Sequence, residues 1–125
     1  MTRELGIRRF NGYGLRLRKH FLVRHGTVVR KHAGASARAE MESAGVSGVS
    51  GHTHRLGIFR RTTYGPPLTW AEGGCLCGVS PTYVLGQADR QQGATIAHLS
   101  TRGQGVLLQE VVGHAGKLWY GGRAY

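Results

Sequence analysis

The sequence predicts an α/β fold in which a short parallel βαβ unit is followed by antiparallel β-hairpins. Two observations lead to this prediction. A short apolar run at residues 21–23 is followed by a segment of helical spacing and then by a second apolar run at 46–50, and strands joined through a helix normally run parallel. From Arg55 onward, short alternating segments are separated by turn residues, which is typical of antiparallel strands.

The segment between the two predicted parallel strands has the pattern of an amphipathic helix. Its apolar positions recur at spacings of four, four and three residues: Ala33, Ala37, Met41 and Ala44. These spacings place them on one helical stripe. Ser36 is the predicted N-cap and Gly45 the predicted end of the helix.

Short strands are predicted on both sides of this unit. Upstream, Asn11 and Gly12 form a strong hairpin dipeptide within a basic segment. The predicted downstream strands are residues 56–63, 68–72, 94–100, 106–112 and 117–120. The aromatic residues that alternate along the chain here are expected to pack in the core or against the sheets: Trp70, Tyr83, Trp119 and Tyr120.

Length and charge limit the class of protein. At 125 residues, the chain is long enough for one domain over residues 1–125 and too short for two. Lys and Arg number 17 against 6 Asp and Glu, a net charge of +11, which favours an anionic partner. Since no segment approaches the roughly 18 apolar residues of a membrane span, we expect a soluble cytoplasmic protein without a membrane partner.

Two histidines in the stretch SGVSGHTHR are the strongest candidates for chemistry. His52 and His54 follow Gly51, and in an extended segment residues i and i+2 point to the same side, so the two imidazoles are predicted to converge as metal ligands. His25 follows the first strand of the βαβ unit. Because parallel strands end at one edge of the sheet, His25 is expected beside His52. Three imidazoles are therefore predicted to meet there.

The order VRHG, helix, SGHTHR resembles the C-terminal half of calcineurin-like metallophosphoesterases of the phage and bacterial type. The five motifs of that family are D-x-H, G-D-x-x-D, G-N-H-[DE], a lone His usually followed by Gly, and G-H-x-H. This chain carries the last two, at His25-Gly26 and at residues 51–54. The resemblance covers nearly the whole chain and implies a partial two-layer metallophosphoesterase-type β-sandwich.

The resemblance also implies a function and a set of ligands. It implies a metal-dependent hydrolase acting on a phosphoester substrate, with His25 and His52 on one ion of a pair and His54 on the other. Imidazole suits Mn, Fe, Ni or Zn, so the ion stays open. Arg24 and Arg55 adjoin the motifs and are either contacts for substrate phosphate or simply exposed.

The first three family motifs are absent from this chain. Asp89 is the only aspartate, and Asn11, the only asparagine, is followed by Gly. Without a bridging carboxylate, two cations repel each other with little compensation. We therefore expect a domain that lacks the family's N-terminal half, binds at most one ion weakly and hydrolyses phosphoesters poorly alone. A dinuclear centre is expected only with a complementing N-terminal-half polypeptide.

Two other functions fit parts of the sequence. The first is a small structural zinc protein with His52, His54, Cys75 and Cys77 as ligands, since a disulfide between Cys75 and Cys77 would be strained and the thiols are expected to be reduced. The second is a basic accessory protein that binds nucleic acid through its charge of +11. Binding of that kind weakens steeply with salt.

Overall fold

The structure, a computed structural model, describes residues 13–79 and 89–125. The described part contains a five-stranded sheet, a four-stranded sheet and one helix. In chain order the elements are β1 (Leu15–Leu17), β2 (Phe21–Arg24), α1 (Ala35–Ala44), β3 (Ser47–Ser50), β4 (Leu56–Arg61), β5 (Leu68–Gly73), β6 (Gln92–Leu99), β7 (Val106–His114), β8 (Lys117–Tyr120) and β9 (Arg123–Ala124). This confirms the predicted α/β class in its general form. The Asn11-Gly12 turn and Tyr83 lie outside the described residues.

The five-stranded sheet contains the predicted crossover. Its strand order is β1-β2-β3-β5-β4; β2, β3 and β5 run parallel, and β1 and β4 are antiparallel strands at the two edges. Arg24 pairs with Ser50 at the ends of β2 and β3, so the segments that follow these two strands begin side by side. The sequence predicts the parallel pair but not the addition of β5 as a third parallel strand.

The helix begins at a glycine rather than at the predicted serine. Gly34 is the N-cap, with a φ of 81° that suits a residue without a Cβ. Ser36 lies inside the helix, buried, and its hydroxyl accepts a hydrogen bond from the Arg30 amide at 2.9 Å. The Ser36 prediction is therefore wrong, because this hydroxyl holds the preceding loop instead of the helix end. Gly45 ends the helix as predicted, and its amide donates to the Met41 carbonyl.

The core lies on both faces of β5. Trp70 packs with Ala37 and Met41 of the helix, whereas Ala71 packs with Phe21 and with Leu108 of the second sheet. Adjacent residues of a strand face opposite sides, so β5 joins the helix layer to the second sheet.

Trp70 packs closely across β3. A Cβ at Gly48 would lie 2.3 Å from the Leu22 carbonyl oxygen and 2.5 Å from the Trp70 ring, so only glycine fits at this point of the strand. The Trp70 indole N–H donates to the Ser50 hydroxyl at 3.0 Å in the buried layer. The predicted burial of Trp70 is confirmed.

The second sheet is the predicted antiparallel meander, β6-β7-β8-β9. Trp119 on β8 is 48% exposed, so it is not a core residue, because β8 does not contribute to the core cluster around Leu108. Tyr120 is half-buried, and its hydroxyl donates to Gln109. Within the described ranges, no helix has the length and apolar character needed to cross a membrane.

Candidate metal centre

The carboxyl ends of β2 and β3 bring two histidines together. His25 Nε2 lies 2.9 Å from His52 Nδ1, and the two rings meet edge to face with centroids 4.9 Å apart. The loops are also joined by their backbones, since the Gly51 amide donates to the His25 carbonyl at 3.0 Å. Both imidazoles are exposed. The predicted approach of His25 and His52 thus follows from the crossover, while their role as metal ligands stays a prediction.

His54 does not join this pair, because the HxH segment is not extended. His52 and His54 both have positive φ angles, 67° and 58°. The same-side argument requires extended backbone, so it does not apply to these two imidazoles, and their role as ligands of a shared metal centre stays a prediction. The left-handed residues turn the chain, and His54 lies instead beside Cys75 and Cys77.

The backbone of this loop is unusual for its residue types. A left-handed conformation costs a residue with a Cβ roughly 1–2 kcal/mol, and here two histidines adopt it within three residues. Strain of this kind persists where the surrounding structure fixes it, and it is concentrated at functional sites. The loop is therefore a candidate site on backbone grounds as well as by residue type.

A buried carboxylate on the helix fixes the loop that carries His25. Glu40 is 1% exposed, and its Oε1 accepts hydrogen bonds from the amides of Thr27 at 2.8 Å and Val28 at 3.0 Å. Its Oε2 forms an ion pair with Arg24. Both oxygens are thus occupied by the protein, and Glu40 is not a free metal ligand.

A second buried carboxylate fixes the loop between the other two histidines. Glu72 on β5 is fully buried. It accepts one hydrogen bond from the Thr53 hydroxyl at 2.7 Å and one from the Gly34 amide at 2.5 Å. Glu72 therefore connects the middle of the histidine loop to the start of α1.

Sequence reasoning missed both carboxylates. Glu40 is not among the apolar positions that predict the helix, yet the buried face of α1 consists of Ser36, Ala37, Glu40 and Met41. These positions share one side of a helix, so the helical spacing alone places Glu40 on the buried face. A search for apolar residues passes over it, as it passes over the other two glutamates of α1 and β5; together these are three of the six acids of the chain. A polar residue on a buried stripe is informative because it needs a partner.

The two arginines beside the motifs are not simply exposed. The Arg24 side chain is 21% exposed, pairs with Glu40 and lies 5.1 Å from the Trp70 ring centroid. The Arg55 side chain is 15% exposed and pairs with Asp89 at 3.2 Å. Both therefore hold the loops of this edge together.

His54, Cys75 and Cys77 form the one group of potential ligands that the described residues bring together in a set of three. One ligand atom from each lies within 4.8 Å of the others. Both cysteines are free thiols, Cys75 half-buried and Cys77 exposed. Burial, followed by the hydrogen bond and charge interaction with Cys77, raises the pKa of the Cys75 thiol. The structure thus brings together three of the four ligands predicted for the zinc alternative, and His52 lies outside this group.

Gln91, which directly precedes β6, binds the backbones of two of these ligands. The Gln91 amide donates to the His54 carbonyl at 2.9 Å, and the Cys75 amide donates to the Gln91 carbonyl at 3.2 Å. The Gln91 side chain accepts a hydrogen bond from the Leu56 amide. The backbones of His54 and Cys75 are therefore fixed relative to each other.

Comparison with known proteins gives no relative: no protein-family model, curated protein or solved structure matches this chain at a significant level.

Proposed function

We propose that this chain is a metallophosphoesterase-like protein in which His25 and His52 bind one divalent cation. The observation that carries the proposal is the distance of 2.9 Å between His25 Nε2 and His52 Nδ1. Two imidazole nitrogens bound to one ion at about 2.0–2.1 Å, with an angle between them of about 90–109°, lie about 2.8–3.4 Å apart. The separation of the two nitrogens is therefore already that of two ligands of one ion.

In the metal-free protein, the same distance corresponds to a hydrogen bond in which one ring N–H donates to the other ring nitrogen. A cation would replace that shared proton. The exposure of both rings leaves the remaining coordination positions open to water and to an anionic substrate. The excess of 17 basic over 6 acidic residues favours the approach of a phosphoester.

The proposed activity of the isolated chain is weak. A bound divalent ion supplies a polarised phosphoryl oxygen and an activated water in phosphoester hydrolysis. The chain's own contribution is to hold the ion with two neutral imidazoles and to fix their loops through Glu40 and Glu72. Since both carboxylates are occupied, a bridged second ion would require ligands from a complementing polypeptide, which we propose as the partner.

Manganese binding tests the ligand assignment. Mn²⁺ is a poor partner for thiolate, so it reports on His25 and His52 rather than on the cysteines. The informative variant is His52→Gly, because glycine adopts the φ of 67° at this position without strain. His114→Ala is the matched control, since His114 is exposed on β7.

The full chain is titrated with Mn²⁺, and free Mn²⁺ is measured by electron paramagnetic resonance alongside hydrolysis of an aryl phosphate. We expect one weakly bound ion in the wild type and in His114→Ala, at least about tenfold weaker binding in His52→Gly, and little turnover in all three. Equal Mn²⁺ binding by His52→Gly and wild type would overturn the ligand assignment. Rapid turnover that His52→Gly abolishes would overturn the proposed dependence on a partner.

A further inference from the structure

We propose that His54, Cys75 and Cys77 form a separate Zn²⁺ site whose fourth coordination position is open to solvent. This site shares no ligand with the His25–His52 pair. It therefore does not depend on the phosphoesterase proposal, and different variants test the two proposals.

The separation of the ligand atoms is close to what zinc requires. In a tetrahedral site, two thiolate sulfurs or a sulfur and an imidazole nitrogen lie about 3.5–3.8 Å apart. Here one ligand atom from each of the three residues lies within 4.8 Å of the others. Closure thus needs a contraction of about 1.0–1.3 Å at most, and rotation of the exposed Cys77 side chain can contribute to it.

His54 shows an independent sign of a missing ligand. Its Nδ1 is buried and has no hydrogen-bond partner among the described residues. A buried polar atom without a partner costs about 1–3 kcal/mol, and most such atoms in folded proteins are paired. Coordination to a cation would satisfy this nitrogen.

The two inner ligands are held in place before any ion binds. Gln91 fixes the backbones of His54 and Cys75 by the two hydrogen bonds described above, and the Gly74 amide donates to the Arg55 carbonyl at 2.7 Å. Cys77, two residues beyond Cys75, is the exposed ligand of the three, and its side chain is expected to rotate on binding. A site in which two of three ligands are held in advance binds with a small loss of conformational freedom.

The donor set selects the ion. Two thiolates and one imidazole favour Zn²⁺ over Mg²⁺ or Mn²⁺, and two thiolates neutralise the charge of the ion. Binding converts both thiols to thiolates and releases two protons to solvent. Cys75 and Cys77 are the only cysteines of the chain, so no third thiolate is supplied by this chain, and a water molecule takes the fourth position.

Cobalt substitution tests the site in the full chain under reducing conditions. Co²⁺ bound by thiolates gives a charge-transfer absorption in the near ultraviolet, which His-only coordination lacks. Zn²⁺ affinity is then measured by displacement of the bound Co²⁺. The variants are Cys77→Ser, which changes an exposed side chain, and His54→Gly, which suits the φ of 58° at that position.

We expect one tightly bound Zn²⁺ per chain at the thiolate site, a thiolate charge-transfer band with Co²⁺, and at least about tenfold weaker binding of this Zn²⁺ in each ligand variant. The matched control is His114→Ala, at an exposed position of β7, which should leave Zn²⁺ affinity unchanged; His52→Gly is measured alongside it. Absence of the charge-transfer band, or unchanged Zn²⁺ affinity in Cys77→Ser when its circular dichroism equals that of the wild type, would overturn the proposal. An equal loss in His52→Gly would also overturn it, in favour of a four-ligand site.

Discussion

Replacing Glu40 by Gln should destabilise the protein much more than the same change at Glu72. In Glu40→Gln, the amide oxygen can still accept from Thr27 and Val28, so the NH₂ group must face the Arg24 guanidinium. Both groups are donors, and Arg24 loses its counter-charge. Removing one partner of a buried ion pair costs about 3–5 kcal/mol.

The lower end of this range applies to Glu40→Gln. The Arg24 side chain is 21% exposed, and it keeps the Glu40 backbone carbonyl as an acceptor at 3.0 Å, so part of its charge remains solvated. We expect a loss of about 3 kcal/mol in the free energy of unfolding.

Glu72→Gln is the matched control, because one of its two partners, the Thr53 hydroxyl, can accept a hydrogen bond as well as donate one. The amide oxygen can accept from the Gly34 amide, while the NH₂ group donates to the Thr53 hydroxyl, which can turn round to accept. Both hydrogen bonds survive and only their charge assistance is lost. Since a bond to a charged group exceeds a neutral one by about 1 kcal/mol, we expect a loss of about 1–2 kcal/mol.

Urea unfolding followed by tryptophan fluorescence measures both variants, since Trp70 is fully buried in the native state. The expected order of stability is wild type, Glu72→Gln, Glu40→Gln, with the second step about 1–2 kcal/mol. A Glu40→Gln protein as stable as the wild type would show that the Arg24 ion pair contributes nothing. A larger loss in Glu72→Gln would refute the reasoning from donor geometry.

Two further predictions use the close packing of β3 and the exposure of the thiols. Gly48→Ala should abolish folding by circular dichroism, because its Cβ would lie 2.3 Å from a backbone oxygen, whereas Gly51→Ala should fold normally, because its nearest atom is 3.7 Å away; equal behaviour of the two would contradict this. In reduced, metal-free protein at mildly alkaline pH, iodoacetamide should modify Cys77 faster than Cys75, because burial raises the pKa of Cys75 and lowers its thiolate fraction. The Cys75 rate should increase as the pH rises through its pKa, and mass spectrometry of the two sites would refute the prediction if Cys75 reacted first.

The βαβ unit that carries His25 and His52 could be predicted, because it depends on hydrophobic periodicity and on the type of connection between its strands. Apolar runs, helical spacing and turn residues are local signals, and they place β2, α1 and β3 to within a few residues of their bounds. The right-handed crossover then brings His25 and His52 together, although 27 residues separate them. Long-range proximity follows here from a rule of topology and needs no knowledge of side-chain contacts.

The path of the histidine loop could not be predicted, because it depends on contacts with distant residues. Thr53 is bonded to Glu72, and His54 is bonded through its carbonyl to Gln91. These bonds stabilise positive φ angles, which are uncommon for any residue that carries a Cβ. Residue spacing assumes an extended chain, so it could not place His54 beside Cys75.

Glu72 explains why the two candidate sites are linked although they share no ligand. Its carboxylate holds Thr53, the residue between His52 and His54, at 2.7 Å. His52 turns from this anchor toward His25, and His54 turns toward Cys75 and Cys77. A non-polar residue in place of Thr53 would leave a buried carboxylate oxygen without a partner and would release both turns. The polar residue between the histidines is therefore as much a part of the motif as the imidazoles, because it sets which ligands each one meets.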